Sequence, residues 1–575
     1  MKINKSLALI LILFFSFCLR VYKLGQFPVA IAHDAMDYII NSKAIWLTGK
    51  DISGTWSPFS LTAKNIGTPT SELLSLLASP ISGPLKNSFF NARLPYVLFG
   101  IIFIYSVYLT TNFLIGKKTA LLSALLLAIN PWSFHFSRIA FDAPVAICFY
   151  VIALYFLISQ KSWKILYSLP FLGIAFSTYH GTKALFIPFV AAALIIRYLI
   201  FKTKDKSKKP ALIISIFSIV LMLYFVFSLK YQAAGKRSNE VLFFSTEKIS
   251  QAVNQDRRSS FQTPLNAIFS NKLTYIIKTF ISQYLGAFSV DNLFIHGEQT
   301  GAFSNWIHGE FYYIDILFIA IGFIALFQKK RKAFASLIIL MLVAPIPSAI
   351  STTKLSYTLR SSLVVPLLII IISYGIISLV KKIKYKKTAI ATLGFLYLMF
   401  FANYLYIYFF RYPVYGSEGF FYSDRVLSSY IKRVPDKTII LTKEPDTLYS
   451  QYLFYSDSYN KAIASQVASN IQNKNYTLGN KIFTDNCQTI KPSIAEGITI
   501  ISLSGFSCEN ELATFQKNLD ISNTADAGSI YNIYNDRLCT NYKKSPYPQI
   551  KTSQDFNVEA MNDEAFCQTW INQKN

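Results

Sequence analysis

361-SSLVVPLLIIIISYGIISLVKKIKYKKTAIATLGFLYLMFFANYLYIYFF-410 reads as two apolar runs, 361 to 380 and 388 to 410, separated by the basic run 381-KKIKYKK-387. At 1.5 Å per helical residue each run reaches across a bilayer's ~30 Å hydrocarbon core. A short lysine-rich connection between two such runs is where a cytoplasmic loop is expected. The same pattern recurs outward from this stretch. Apolar segments near 6 to 21, 94 to 115, 119 to 136, 143 to 159, 165 to 178, 184 to 201, 211 to 229, 312 to 327 and 333 to 350 complete a set of about eleven. With the N-terminus inside, the inner connections become 116-GKK-118, 160-QKSWK-164, 202 to 210, 328-QKKRK-332 and 381 to 387, all short and basic. The long, acid-containing stretches 22 to 93, 230 to 311 and the tail after Arg411 then share the outer side.

Composition agrees with a membrane protein. The 575 residues are 53% hydrophobic and 15% charged, with a mean hydropathy of +0.36, too apolar for an ordinary soluble chain of this length. A net charge of +26 would suit nucleic acid or anionic lipid. The basic runs sit between apolar segments, so they read as topology signals and nucleic acid is not an expected partner. No small-residue cleavage site follows the apolar run from Leu7 to Leu19, because Arg20, Tyr22 and Lys23 stand there; the run reads as an uncleaved first helix. The stretch 272-KLTYIIKTFISQYLGAFSV-290 carries Lys272, Lys278 and Gln283 on one side and reads as an interfacial amphipathic helix.

The fold expected is therefore an α-helical polytopic membrane domain over 1–410, with outer loops 22–93 and 230–311, and an extracytoplasmic α/β domain over 411–575. In the latter, strands such as 437-KTIILT-442, 481-KIFTDNC-487 and 498-ITIISLS-504 alternate with helical stretches such as 424-DRVLSSYIKR-433. It holds Cys487, Cys508, Cys539 and Cys567, an even set that outside the cell implies two disulfides with three possible connectivities. Cys18 and Cys148 lie in apolar segments and read as packing residues.

Ionisable residues gather where helices emerge on the outer side. His33, Asp34 and Asp37 open the first loop; Arg138 and Asp142 follow the third segment; Tyr179, His180 and Lys183 occupy 178-TYHGTK-183. Each has a plain reading, with Asp34 and Asp142 as helix N-caps and Pro144 in the first turn after Asp142. Together, charged groups at the membrane edge are costly enough to suggest a site.

The run 22-YKLGQFPVAIAHDAMDYIINSKAIWLTGKDISG-54 resembles the first extracytoplasmic loop of bacterial protein-O-mannosyltransferase-like and aminoarabinose-transferase-like enzymes of the C-type glycosyltransferase superfamily. The resemblance continues through 92-ARLPYVLFG-100, 130-NPWSFHFSR-138, 179-YHGTKALFIP-188 and 308-HGEFYYIDILF-318, but not into the C-terminal domain. It implies a polyprenyl-phosphate sugar donor, an outward-facing site, Asp34 as general base and Asp142 as a second acidic position. Where relatives often have Asp-Glu, this chain has 34-DA-35, with Asp37 one turn on.

Transfer from a lipid phosphate needs a base for the incoming hydroxyl, carboxylates to meet positive charge on the sugar ring, and cations for the departing phosphate. Arg93, Arg138, Lys183, Arg237, Arg257, Arg258, Lys354 and Arg360 are the candidate cations on the outer side; Arg237 and Arg360 are the favoured phosphate ligands, with Arg138 and Lys183 beside them. His33, His180 and Tyr179 are expected to contact substrate. No cofactor is demanded, and a divalent metal is not indicated because the loops hold no DxD pair or close histidine cluster. The partners expected are the donor lipid, the bilayer, and an acceptor that is a protein, lipid or glycan. The high Lys, Ile and Asn content suggests a bacterial plasma membrane. The competing expectations are a transporter or lipid flippase, and an inactive relative serving as an assembly subunit.

Overall fold

The computed structural model describes residues 5–55, 72–159, 162–201, 208–231, 246–298, 301–351, 357–490, 497–512, 515 and 517–573. They form two compact units. One contains the described residues of 5–22 and 96–405; the other joins 23–55 and 72–95 to 406–573.

The first unit is helical. Among the described residues of the chain, seven helices are long and apolar enough to cross a membrane: Phe89–Leu114, Asp142–Ser159, Lys183–Phe201, Lys208–Ser228, Arg331–Ala349, Val364–Lys382 and Lys386–Tyr415. The chain is thus an integral membrane protein with an α-helical membrane region. The other four apolar segments of the sequence are also helical but shorter: Lys5–Val21, Lys117–Ile129, Ser168–Thr178 and Asp315–Lys329. The segment expected over 119 to 136 breaks at Asn130, whose extended backbone starts a new helix at Pro131 and whose side chain accepts from the Ser133 amide. Proline at the first helical position and asparagine at the cap are the chemistry of a helix start, so one continuous span is ruled out locally.

Small residues let two helices of this unit touch backbone to backbone. A Cβ placed on Gly322 would lie 2.2 Å from the Ile371 carbonyl oxygen, and one on Gly375 would lie 2.2 Å from that of Phe318. Close approach of this kind supplies the packing energy that membrane helices lack from the hydrophobic effect. Buried arginines serve the same unit: Arg20 donates to the Ala128 carbonyl at 2.9 Å, and Arg197 to that of Leu157 at 2.7 Å. The helix Lys272–Gly286 opens with a capping box at Asn271 and Thr274. It exposes Leu273, Ile277, Ile281 and Leu285, an i, i+4 stripe, and its 15 residues are too short for the ~30 Å hydrocarbon core.

The second unit is built on a mixed seven-stranded sheet in the order β2-β3-β1-β4-β6-β5-β7. Its strands are β1 Lys437–Leu441, β2 Thr477–Leu478, β3 Lys481–Thr484, β4 Ile498–Leu503, β5 Lys517–Ser522, β6 Ser529–Tyr534 and β7 Ile571–Asn572. β3, β1 and β4 are parallel, while β6, β5 and β7 continue antiparallel. The central strand 437-KTIIL-441 is buried from Thr438 onward, which fits a parallel strand covered on both faces. Disulfides join Cys487 to Cys508 and Cys539 to Cys567, one of the three pairings open to the sequence. They close loops of 21 and 28 residues, each worth about 3 kcal/mol by chain entropy. The linear boundary drawn at 411 does not follow the units, because first-loop residues pack with the C-terminal domain.

Candidate active site

In the second unit the first-loop helix runs His33–Thr48, and its N-cap position is Ala32, which makes no side-chain cap bond. Asp34 is therefore not the cap; it lies in the first turn, where the helix dipole favours an anion, and is half-buried. Asp37 stands one turn further and is buried at 8% exposure. Burial first, then the charges of Asp34 and Asp446, hold its carboxyl well above the usual range. Two acids one turn apart are thus placed in different surroundings, one reachable and one enclosed.

His33 is fixed from the C-terminal domain. Its Nε2 lies 2.9 Å from Asp424 Oδ2, its Nδ1 lies 3.8 Å from Glu444, and its ring stacks on Phe421. The Asp424 carboxylate also accepts from the Tyr531 hydroxyl at 2.5 Å and from Gln451 Nε2 at 3.1 Å. The neighbouring Arg425 donates to the Val29 carbonyl and forms a two-pronged pair with Glu559. The Ile31 amide donates to the Tyr455 hydroxyl at 3.1 Å. Segment 29–33 is therefore gripped by side chains from the helices Tyr422–Arg433 and Pro445–Tyr455. Sequence reasoning missed Phe421, Asp424, Arg425 and Tyr455. The available signal was the acidic first turn in 422-YSDR-425, which does not announce its partner.

Arg93, also in this unit, is 2% exposed and donates to the carbonyls of Leu24 at 3.0 Å and Ala30 at 2.7 Å. It holds the loop's entry rather than presenting a charge outward.

In the first unit Asp142 is the first residue of its helix, with Pro144 in the first turn. It is buried, and it acts electrostatically on Lys183, which is 1% exposed. The Lys183 ammonium lies 5.6 Å from the ring centres of Phe176 and Phe225. His180 meets Phe225 edge-on, and the Tyr179 ring folds over Gly181, where a Cβ would approach it to 2.6 Å. Asp142, Lys183, His180 and Tyr179 thus belong to the same unit, with Phe225 common to His180 and Lys183. Arg138, expected beside the phosphate, turns its Nη1 to backbone carbonyls instead. It is fully buried and its Nη1 donates to the Arg20 and Tyr22 carbonyls at 2.6 and 2.8 Å, satisfying the C-terminal end of the helix Lys5–Val21. Arg257 donates to the Ser270 carbonyl at 2.7 Å. Arg237 and Lys354 lie outside the described residues.

Arg360 ends a short helix Tyr357–Arg360 and acts on Glu298. Glu298 accepts from the backbone amides of Tyr357 and Thr358, both at 3.2 Å, and from the Thr358 hydroxyl. Burial nevertheless pushes its pKa up to about 7. Glu310 is 4% exposed and is held well above the usual carboxyl range by burial and by Glu298. Among the described residues, the one group of possible metal ligands within reach of one another is Cys487, Cys508 and Glu511. Its two cysteines are bonded to each other, so it is not a thiolate site.

Residues 78–228 match the family model of dolichyl-phosphate-mannose-protein mannosyltransferase. No curated protein matches the chain in sequence. Among solved structures, ArnT from Cupriavidus metallidurans bound to undecaprenyl phosphate is similar at 10% identity and a TM-score of 0.45, over 91% of this chain and 97% of that one. The archaeal oligosaccharyltransferase AglB from Archaeoglobus fulgidus, in complex with an inhibitory peptide and a dolichol-phosphate, is similar at 11% identity and a TM-score of 0.43, over 93% of this chain and 74% of that one. The first-loop run and the 308 to 318 motif lie outside the matched segment, which contains the three motifs at 92 to 100, 130 to 138 and 179 to 188. Over that segment the chain carries the mannosyltransferase family match, which agrees with the protein-O-mannosyltransferase-like resemblance of its motifs.

Proposed function

We propose that this protein transfers a sugar from a polyprenyl-phosphate donor to a hydroxyl-bearing acceptor at the outer membrane face, with Asp34 as general base. The observation that carries the reading is the contrast at the start of the first-loop helix. Asp34 is half-buried in the first turn while Asp37, one turn on, is enclosed with its pKa raised. Carboxyls whose surroundings differ this way can divide base and neutral roles between them. The mannosyltransferase family match over 78–228 supports the reaction class.

In this reaction Asp34 takes the acceptor's hydroxyl proton as the oxygen attacks the anomeric carbon. The bond from that carbon to the phosphate oxygen breaks, and the polyprenyl phosphate leaves with the electron pair. For the remaining roles the residues proposed from the first unit are Asp142 for positive charge and Lys183 and Arg360 for phosphate, each tested by its own substitution. Arg138 and Arg93 are not offered, since both are committed to backbone carbonyls. The basic connections place the N-terminus inside and the C-terminal domain outside in this reading.

The test is transfer from a panel of polyprenyl-phosphate sugars by the purified protein in lipid, wild type against Asp34→Asn. Turnover of one donor that drops by at least about 10²-fold in the variant supports the base assignment. Turnover unchanged by the substitution removes Asp34 from the chemistry. No turnover with any donor favours the transporter or inactive-subunit reading.

A further inference from the structure

We propose that Asp424, 391 residues from its partner in sequence, is a positioning residue for the first-loop site. It acts through His33 to fix the helical turn that presents Asp34. The inference rests on the reading of Asp34 as the base and assigns the C-terminal domain a part in the reaction.

Three features support it, all within one compact unit. The Asp424 carboxylate receives His33 Nε2 at 2.9 Å, the Tyr531 hydroxyl at 2.5 Å and Gln451 Nε2 at 3.1 Å. Both oxygens are therefore tied, and the side chain is only 9% exposed. A carboxylate so held orients its imidazole partner firmly, as carboxylates behind catalytic and metal-binding histidines do.

Phe421 lies flat against the imidazole with ring centres 3.4 Å apart, and it does so from the left-handed backbone region at φ +55°. For a bulky residue that conformation is strained and persists only where its surroundings enforce it. Here the residue occupies the N-cap position of the helix Tyr422–Arg433, so the strain puts the ring on His33 and Asp424 in the same first turn.

His33 directly precedes Asp34, which makes the imidazole the covalent neighbour of the proposed base. Its other nitrogen faces Glu444 at 3.8 Å. The charged groups of this cluster are Asp34, Asp37, Asp424, Glu444 and Asp446, with Arg425 beside Asp424 and turned to Glu559.

The experiment compares Asp424→Asn, His33→Gln, the double variant and Tyr531→Phe in the same lipid-reconstituted full-length protein, alongside Asp34→Asn. Each of the first two is expected to lower kcat by about 10- to 100-fold with the donor KM within about twofold. The double variant should lose no more than the worse single, because the two residues act as one unit. Asp424→Glu should recover part of the rate, and Tyr531→Phe, which frees one carboxylate oxygen, should lose only a few-fold. An undiminished kcat in Asp424→Asn, or losses that multiply in the double variant, would overturn the proposal.

A second readout is independent of turnover. Diethyl pyrocarbonate labelling of His33, resolved by mass spectrometry, should quicken several-fold in Asp424→Asn and in Phe421→Ala. An unchanged rate in Asp424→Asn overturns the clamp whatever the activity, including in folded protein without turnover. Conversely, normal turnover in Asp34→Asn with slow kcat in Asp424→Asn sinks the base assignment and, with it, the route through Asp34.

Discussion

Glu298 accepts from two consecutive backbone amides and the Thr358 hydroxyl, all of which favour its anion, yet burial outweighs them and pushes its pKa up to about 7. The folded state therefore binds this proton more tightly than the unfolded chain, whose glutamates titrate near 4.5. The sign follows from linkage. Stability from this group is fully present below pH 4.5, falls as pH rises, and is lost through about pH 7. The amount at stake is roughly 3 kcal/mol. Glu298→Gln should flatten the pH dependence of thermal unfolding in nanodiscs over this window, gaining on wild type as pH rises. Parallel curves for the two proteins would show that Glu298 is not the titrating group. At this scale the sequence was readable for position but not for direction. Arg138 stands at a helix exit as any phosphate ligand would, and only the fold reveals that its guanidinium turns back to the Arg20 and Tyr22 carbonyls. His33 and Asp34 were legible because they lie next to the first helix; Asp424 was not, because nothing local ties it to them.

The helices Asp315–Lys329 and Val364–Lys382 owe their contact to two residues with no side chain. A Cβ on Gly322 would meet the Ile371 carbonyl oxygen, and one on Gly375 would meet that of Phe318, each at 2.2 Å. These are backbone atoms, so relief requires moving a helix. Gly322→Ala and Gly375→Ala should therefore each cost about 1–3 kcal/mol, although alanine is the better helix former. Gly394, in the helix Lys386–Tyr406, has nothing within 4 Å of its would-be Cβ. Gly394→Ala should be neutral or stabilising by up to about 1 kcal/mol. Thermal unfolding of the three variants in one lipid checks this, and equal effects at all three positions would mean the crossing is not the constraint. Elements were the most legible level. All eleven apolar segments are helical, since hydrophobic length needs no tertiary knowledge, and the three quoted strands fall within a residue or a few of β1, β3 and β4. What could not be read was which helices touch, because the signal is an absent side chain matched to a distant carbonyl.

A boundary at Arg411 follows from hydropathy, which separates membrane from water, whereas the compact units follow contacts and join residues 23–55 and 72–95 to 406–573. The two divisions make opposite statements about a chain that stops at Arg411. If hydropathy marks independent folding, the first loop should survive removal of the tail. If contacts do, the loop loses most of what holds it. The Val29 carbonyl gives up Arg425, the Ile31 amide gives up Tyr455, His33 gives up Asp424 and Phe421, and the Ser53 carbonyl gives up Gln472. The internal bonds of the helix His33–Thr48 remain. Sixteen residues are nevertheless marginal for an isolated helix in water, where packing supplies most of the stability. The truncated protein should insert with amide protection retained in the buried helices Asp142–Ser159 and Val364–Lys382, while residues 29–48 exchange as an open segment and transfer is lost. Hydrogen-exchange mass spectrometry of full-length and truncated protein in the same nanodisc makes the comparison peptide by peptide. Protection of 29–48 that outlives the tail would make the first loop autonomous and reduce Asp424 to a bystander. Protection lost there alone would make the C-terminal domain a structural half of the first-loop site.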